Sequence, residues 1–220
     1  MRLPLVLACA VVLAGACAPR ALLKPDPARL AATAPDSFLV DVRTSRGPFL
    51  LKVHRDWSPL GADRLYYLFN ARFYDGARFF RTVDNFVTQF GLNGDTAVTA
   101  AWHDKRIGDD PVLRSNVRGT LTFAKGGPNT RTTQVYINYK DNSRLDTLGF
   151  SVVAQVVDGM SQVVDSLYKG YGDAPSPNRP NNKGPSQERI TKEGNAYLIK
   201  EFPKLDYIIT AHVSREWRHR

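Results

Sequence analysis

The chain has 220 residues but only two cysteines, Cys9 and Cys17, both within the first seventeen positions. The rest of the protein therefore holds neither a disulfide framework nor a CxxC zinc site. Its four histidines, His54, His103, His212 and His219, show no HxxxH or HExxH spacing, which leaves a histidine-built metal centre without support. Chemistry based on a thiolate or a zinc-activated water is largely excluded. The apolar run Leu3 to Ala14 falls short of the about 20 residues that a membrane-spanning helix needs. With 43% hydrophobic and 23% charged residues, the composition is that of a globular chain rather than a disordered or polytopic one. The length suits one domain with an extension.

What the N-terminus does have is a secretory pattern. Arg2 precedes the apolar run, which suits a signal-peptide core and ends in Ala14-Gly15-Ala16-Cys17. Small residues before a cysteine resemble a bacterial lipobox, so residues 1–16 are expected to be removed and Cys17 to be lipidated. The alternative is ordinary cleavage of a soluble periplasmic or secreted protein. Residues 17–36, rich in Ala and carrying Pro19, Pro25, Pro27 and Pro35, predict an extended tether. The domain then spans 37–215. The net charge of +9 comes from dispersed Lys and Arg; with export, a basic surface near the envelope is expected and nucleic acid is not.

Residue patterns predict strands at Ser37 to Arg43 and Phe49 to His54, joined by a Gly47-Pro48 turn. Ser58-Pro59 opens a helix that runs towards Gly76. Short strands follow at Ala77 to Val83, Phe86 to Gly91, Gly119 to Ala124, Gln134 to Asn138 and Phe150 to Val157. Met160 to Tyr168 predicts a second helix, Ser186 to Phe202 a third, and Leu205 to Val213 a last strand. Gly170 to Pro185, with four prolines, predicts a mobile loop. Asp109-Asp110 before Pro111 predicts a solvated loop. Many short strands and few helices favour a mainly β, closed antiparallel barrel.

Three segments carry chemistry. Phe79 to Gly91 contains F-x-R-x-x-x-x-F-x-x-Q. Gly119 to Thr130 contains F-A-x-x-G-P-N-T and runs into Gln134-Val135-Tyr136-Ile137-Asn138. Leu145-Asp146, Gly149-Phe150 and Val156 to Met160 complete the order. These motifs resemble the signature of the cyclophilin-type peptidyl-prolyl isomerases, from about Ser37 to Val213.

The resemblance implies an eight-stranded barrel capped by two helices, here with an extra C-terminal helix, and a proline pocket on the outer face. It implies that Arg81 is catalytic and that Gln89 holds the substrate backbone. Phe86, Phe123, Tyr136, Leu145 and Phe150 are then candidates for the apolar pocket, and Gln134 for a second polar contact. Ala124 and Lys125 fall where backbone groups pair with the peptide. Phe123 and Leu145 have a second reading as barrel core. Arg144 stands where the family often has Trp, and Phe150 near where it often has His. The implied activity is rotation about X-Pro bonds, with proline-containing polypeptides as partners and no cofactor or metal. A monomer is expected, lipid-anchored in the bacterial envelope and facing the periplasm, where it assists folding of exported proteins. The alternative is a non-catalytic module of the same fold that binds proline-containing segments.

Cys17→Ala is expected to shift the protein from the membrane fraction to the soluble periplasm, or to leave the precursor uncleaved. Fractionation with intact-mass measurement checks this. A soluble wild type without acyl mass would mark ordinary secretion.

Overall fold

The computed structural model describes residues 20–218; the expected signal peptide (residues 1–16), the expected lipidation site Cys17 and His219 lie outside them. The chain runs through α1 (Arg20–Leu23), α2 (Pro27–Leu30), β1 (Ser37–Thr44), β2 (Gly47–His54) and α3 (Pro59–Asn70). It continues through β3 (Arg81–Val83), β4 (Val87–Phe90), α4 (Thr96–Trp102), β5 (Thr120–Phe123) and β6 (Val135–Asn138). β7 (Val152–Asp158), α5 (Gln187–Glu201) and β8 (Ile208–Trp217) complete it.

Strand alternation builds the core. On β1, Phe38, Val40 and Val42 point inward while Ser37, Asp41 and Arg43 do not; on β2, Phe49, Leu51 and Val53 do the same. This period of two is what a half-buried sheet requires. β4, β5 and β6 are buried at every residue, so their outer faces are covered as well. Inside, Phe69, Phe73, Tyr74, Phe79, Phe90 and Trp102 meet in edge-on or tilted ring pairs. Each such ring contributes about 1.5–3 kcal/mol by leaving water.

The eight strands form one antiparallel sheet in the order β3-β4-β6-β5-β7-β2-β1-β8. The expected closed barrel is an open, curled sheet with β3 and β8 as its edges. The outer edge of β3 is met not by β8 but by a single antiparallel bridge from Gly172 to Thr82. The chain before β3 meets the start of β8 and the residues before it, with Phe79 N–H donating to Asp206 O at 3.0 Å and Ile208 N–H to Ala77 O at 2.9 Å.

Several local expectations are corrected. The first hairpin turns at Ser45-Arg46, and Gly47 and Pro48 already belong to β2. Ser58 makes no side-chain cap; its hydroxyl donates to Asp110, whose carboxylate also accepts from the N–H groups of Leu60 and Gly61 at the start of α3. Asp110 is thus a buried cap rather than a solvated loop residue, and Arg131, 2% exposed, pairs with it at 2.9 Å. Burial raises the Asp110 carboxyl, but bonds from Ser58, Arg131 and Gly61 outweigh it and hold the group below the usual carboxylate value. Met160 to Tyr168 gives only a 3-10 turn at Val164–Ser166, because the Tyr168 N–H turns away to Asp206. α4 was not expected; Asp95 caps it by accepting from Ala97 N–H.

The described part of the tether is folded. Asp26 caps α2 with Pro27 at its first turn, so proline starts a helix there instead of extending the chain. Leu22 is buried, its carbonyl accepts from Trp102 Nε1 at 2.9 Å, and the Tyr67 hydroxyl donates to Ala21 O. Ala34 N–H donates to Asp63.

α5 is interrupted at Gly194, with φ 60° and ψ −145°. A Cβ there would lie 2.3 Å from Gly94 O. Asn195 N–H donates to Gly94 O and its side-chain amide to Gly76 O. Gly194→Ala is expected to destabilise the protein by about 2–4 kcal/mol, the sum of a disfavoured backbone and a backbone clash. Urea denaturation checks it, and an unchanged midpoint would contradict this docking.

Candidate active site

Register places the polar centre of the site. β3 pairs with β4 so that Arg81 faces Gln89, and β4 pairs with β6 so that Gln89 faces Tyr136. Alternation turns these side chains outward while Phe90, Val135 and Ile137 enter the core. Arg81 Nη1 donates to Gln89 Oε1 at 3.3 Å, and Gln89 Nε2 donates to Gln134 Oε1 at 2.8 Å. Gln89 thereby joins the charged end of the row to Gln134.

Beside this row lies a pocket of about 390 Å³. Arg81, Phe86, Gln89, Ala124 and Lys125 line it together with Gln134, Tyr136, Leu145 and Phe150. Val87, Tyr136 and Leu145 form a small apolar cluster with Phe86, Ala124 and Phe150, separate from the main core. Tyr136 and Phe150 meet edge-on at 6.1 Å, and the Arg81 guanidinium stands 5.6 Å from the Phe86 ring. The pocket therefore offers an apolar wall facing a fixed cation. Arg144 sits exposed on the rim, its guanidinium 5.1 Å from the centroid of the same Phe86 ring.

Phe123 is the exception among the expected site residues. It is 1% exposed and belongs to the main core, with the Arg131 guanidinium over its ring. On β5, Leu121 and Phe123 share the inward face, so the chain reaches the pocket only beyond the strand end, at Ala124, Lys125 and Gly126. Leu145 takes the pocket side of its two readings. Lys125 bonds Asp109 at 2.8 Å and lies 5.4 Å from the Phe150 ring. The Ala124 N–H donates to Gln134 O at 2.9 Å.

Fully buried Asn116 holds the apolar wall in place. Its Oδ1 accepts from Thr122, Tyr136 and Asn138, and its Nδ2 donates to Asp146 and to Phe150 O. The 3-10 segment Ser143–Leu148, which carries Arg144 and Leu145, is thus tied to the outer face of β5 and β6. Burial raises the Tyr136 hydroxyl above its ordinary value, so it remains a donor to Asn116.

Val87, Gly126, Thr130 and Thr132 also line the pocket without having been assigned to it from the sequence, and two further residues come from distant parts of the chain. Gln187, the first residue of α5, lines the pocket. Asp173 forms a fork to Arg81, accepting from Nε and from Nη2 at 2.8 Å each. Bonds from Arg81 hold its carboxyl below the usual value despite partial burial. Asp173 is far from Arg81 in the chain, and no motif marks it. Among the described residues no group of three or more His, Cys, Asp or Glu could hold a metal ion.

A family model described as "Cyclophilin type peptidyl-prolyl cis-trans isomerase/CLD" matches residues 39–192. A peptidyl-prolyl cis-trans isomerase of Arabidopsis thaliana is 31% identical over 143 residues, covering 62% of this chain and 88% of the relative. One from Acinetobacter baylyi is 29% identical over 137 residues, covering 59% and 71%. The crystal structure of a cyclophilin-type isomerase from Cryptosporidium parvum matches with a TM-score of 0.57 at 16% identity, over 82% of this chain and 99% of that one. That last likeness concerns the fold alone.

Tyr136→Phe is expected to cost about 1 kcal/mol of stability, one neutral hydrogen bond, because Thr122 and Asn138 still serve Asn116 Oδ1. Urea denaturation reads this. A loss above about 3 kcal/mol would mean that the Tyr136 hydroxyl, not Asn116, organises the wall.

Proposed function

We propose how this site works from the premise that the chain belongs to the cyclophilin-type peptidyl-prolyl cis-trans isomerase family. It is an isomerase of X-Pro bonds. The barrier to that rotation, about 18–20 kcal/mol, is amide resonance. Lowering it requires no nucleophile. It requires a grip on one side of the bond, a surface for the ring, and a donor aimed at the prolyl nitrogen.

Each part has a candidate. Phe86, Tyr136, Leu145 and Phe150 receive the proline ring. Gln89 has one amide N–H committed to Gln134 and a second available to hold the prolyl carbonyl. The backbone at Ala124 and Lys125 pairs with the preceding residues. Arg81 is the catalytic donor: as the amide twists, its nitrogen becomes pyramidal and regains a lone pair, so a bond from the guanidinium strengthens in the transition state. Arginine suits this because it stays charged and its planar fork can be fixed from one edge. The observation that carries the reading is the Arg81 guanidinium held at the mouth of an apolar pocket distinct from the barrel core.

The substrates are proline-containing polypeptides, and the cellular role is assistance to the folding of exported proteins. A lipid anchor at Cys17 would hold the domain on the envelope facing the periplasm, as a monomer. The support for this placement is the run Ala14-Gly15-Ala16-Cys17 after an apolar stretch.

Arg81→Ala is expected to lower turnover of a proline-containing test peptide at least tenfold, about 1.4 kcal/mol in the barrier, with an unchanged circular dichroism spectrum. A folded variant with wild-type turnover would remove Arg81 from the mechanism; a wild type that binds the peptide without turnover would mark the non-catalytic module.

A further inference from the structure

We propose that Asp173 is a positioning residue for Arg81, an inference that rests on the catalytic role given to Arg81 above. The backbone brings it there. The loop after Tyr171 forms a single antiparallel bridge from Gly172 to Thr82 on β3. In that register the residue after Gly172 lies beside the residue before Thr82, so Asp173 is delivered to Arg81. The loop is then closed around Asp173: Gly184 N–H donates to Asp173 O at 2.7 Å, and Asn182 Nδ2 donates to Ala174 O. A Cβ on Gly184 would stand 2.6 Å from the Asp173 carbonyl, so the close approach needs glycine there. Asp173 Oδ1 also accepts from Ala174 N–H, which fixes its carboxylate plane.

The consequence lies in how the guanidinium donors are divided. A guanidinium has five N–H groups. Asp173 takes Nε–H and one on Nη2, and Gln89 takes one on Nη1. The outer edge of the fork is thereby anchored, and the remaining Nη1 donor is kept on the side of Gln89 and the pocket. The side chains of Arg81 and Asp173 are 22% and 25% exposed, so without the carboxylate a long, partly solvated arginine would sample several rotamers. An aligned donor removes that ordering cost from the chemical step.

The test is a set of peptide-isomerisation measurements on the full chain with Asp173→Ala, Asp173→Asn and the double variant with Arg81→Ala. Asp173→Ala is expected to lower kcat roughly fivefold to twentyfold, as for a misplaced catalytic group, with KM changed less than about twofold. Asp173→Asn, which keeps shape and one acceptor, should recover part of the loss. In the Arg81→Ala background, removing Asp173 should change kcat/KM by less than about twofold, because the group it positions is gone. An equal loss in both backgrounds would mark a purely structural role and overturn the proposal. So would unchanged or faster turnover in Asp173→Ala, the latter showing that the carboxylate restrains Arg81. If the wild type itself fails to isomerise the peptide, the functional reading falls instead; if only Arg81→Ala is impaired, the positioning role alone falls.

Discussion

A single line of strand register governs this molecule. Arg81, Gln89, Tyr136 and Thr122 face one another in turn across β3, β4, β6 and β5, and all four belong to the outward set of an alternating sheet. A slip of one residue on any of these strands would exchange outward polar groups for core aromatics. The packing of Phe90, Val135, Ile137, Leu121 and Phe123 inside therefore fixes the order of functional groups outside. Stability and chemistry share one constraint, and they are separated only by the two sides of the backbone.

Two buried polar hubs hold the loops around this sheet. Asn116 satisfies β5, β6 and the 3-10 segment at once. Arg131 and Asp110 join the start of α3 to the loops before β5 and β6. Removing one partner from such a buried ion pair typically costs about 3–5 kcal/mol. The loops that shape the pocket are thus held by hydrogen bonds to the sheet, while the sheet is held by apolar burial. Arg64, largely buried, extends this scheme: it donates to Lys105 O and Thr132 O, and burial lowers its guanidinium to about 10.

The strands, α3, α5 and most of the pocket were legible because each is a local pattern: alternation, a Pro after Ser, or a motif with fixed spacing. Phe123 was placed by motif, yet strand parity with Leu121 sends it inward, which the alternation already contained. Other features are set by partners distant in the chain. Asp110 could not be recognised as the cap of α3, because the N–H groups it serves at Leu60 and Gly61 lie about fifty residues earlier. Asp173 is separated from Arg81 by 92 residues. The Ala/Pro segment read as extended because proline disfavours helix interiors, but at α2 proline occupies the first turn, where it is compatible. At the open seam Gly172 bridges Thr82 on the outer side of β3, a partner distant in the chain that residue preferences at Ala77 to Val83 could not reveal.

The docking of Leu22 under Trp102 and Tyr67 bears on how far the domain could travel. Leu22 lies five positions after Cys17, a span that even fully extended chain limits to at most about 18 Å. With Cys17 in a bilayer, the domain would be on a short leash, confined to a shell thinner than its own diameter. Its swing would be limited too, since the point of attachment lies on α3 and α4 rather than on a free tail. Such an enzyme would patrol the membrane surface, meeting chains as they emerge from it and passing over those already released into bulk solution.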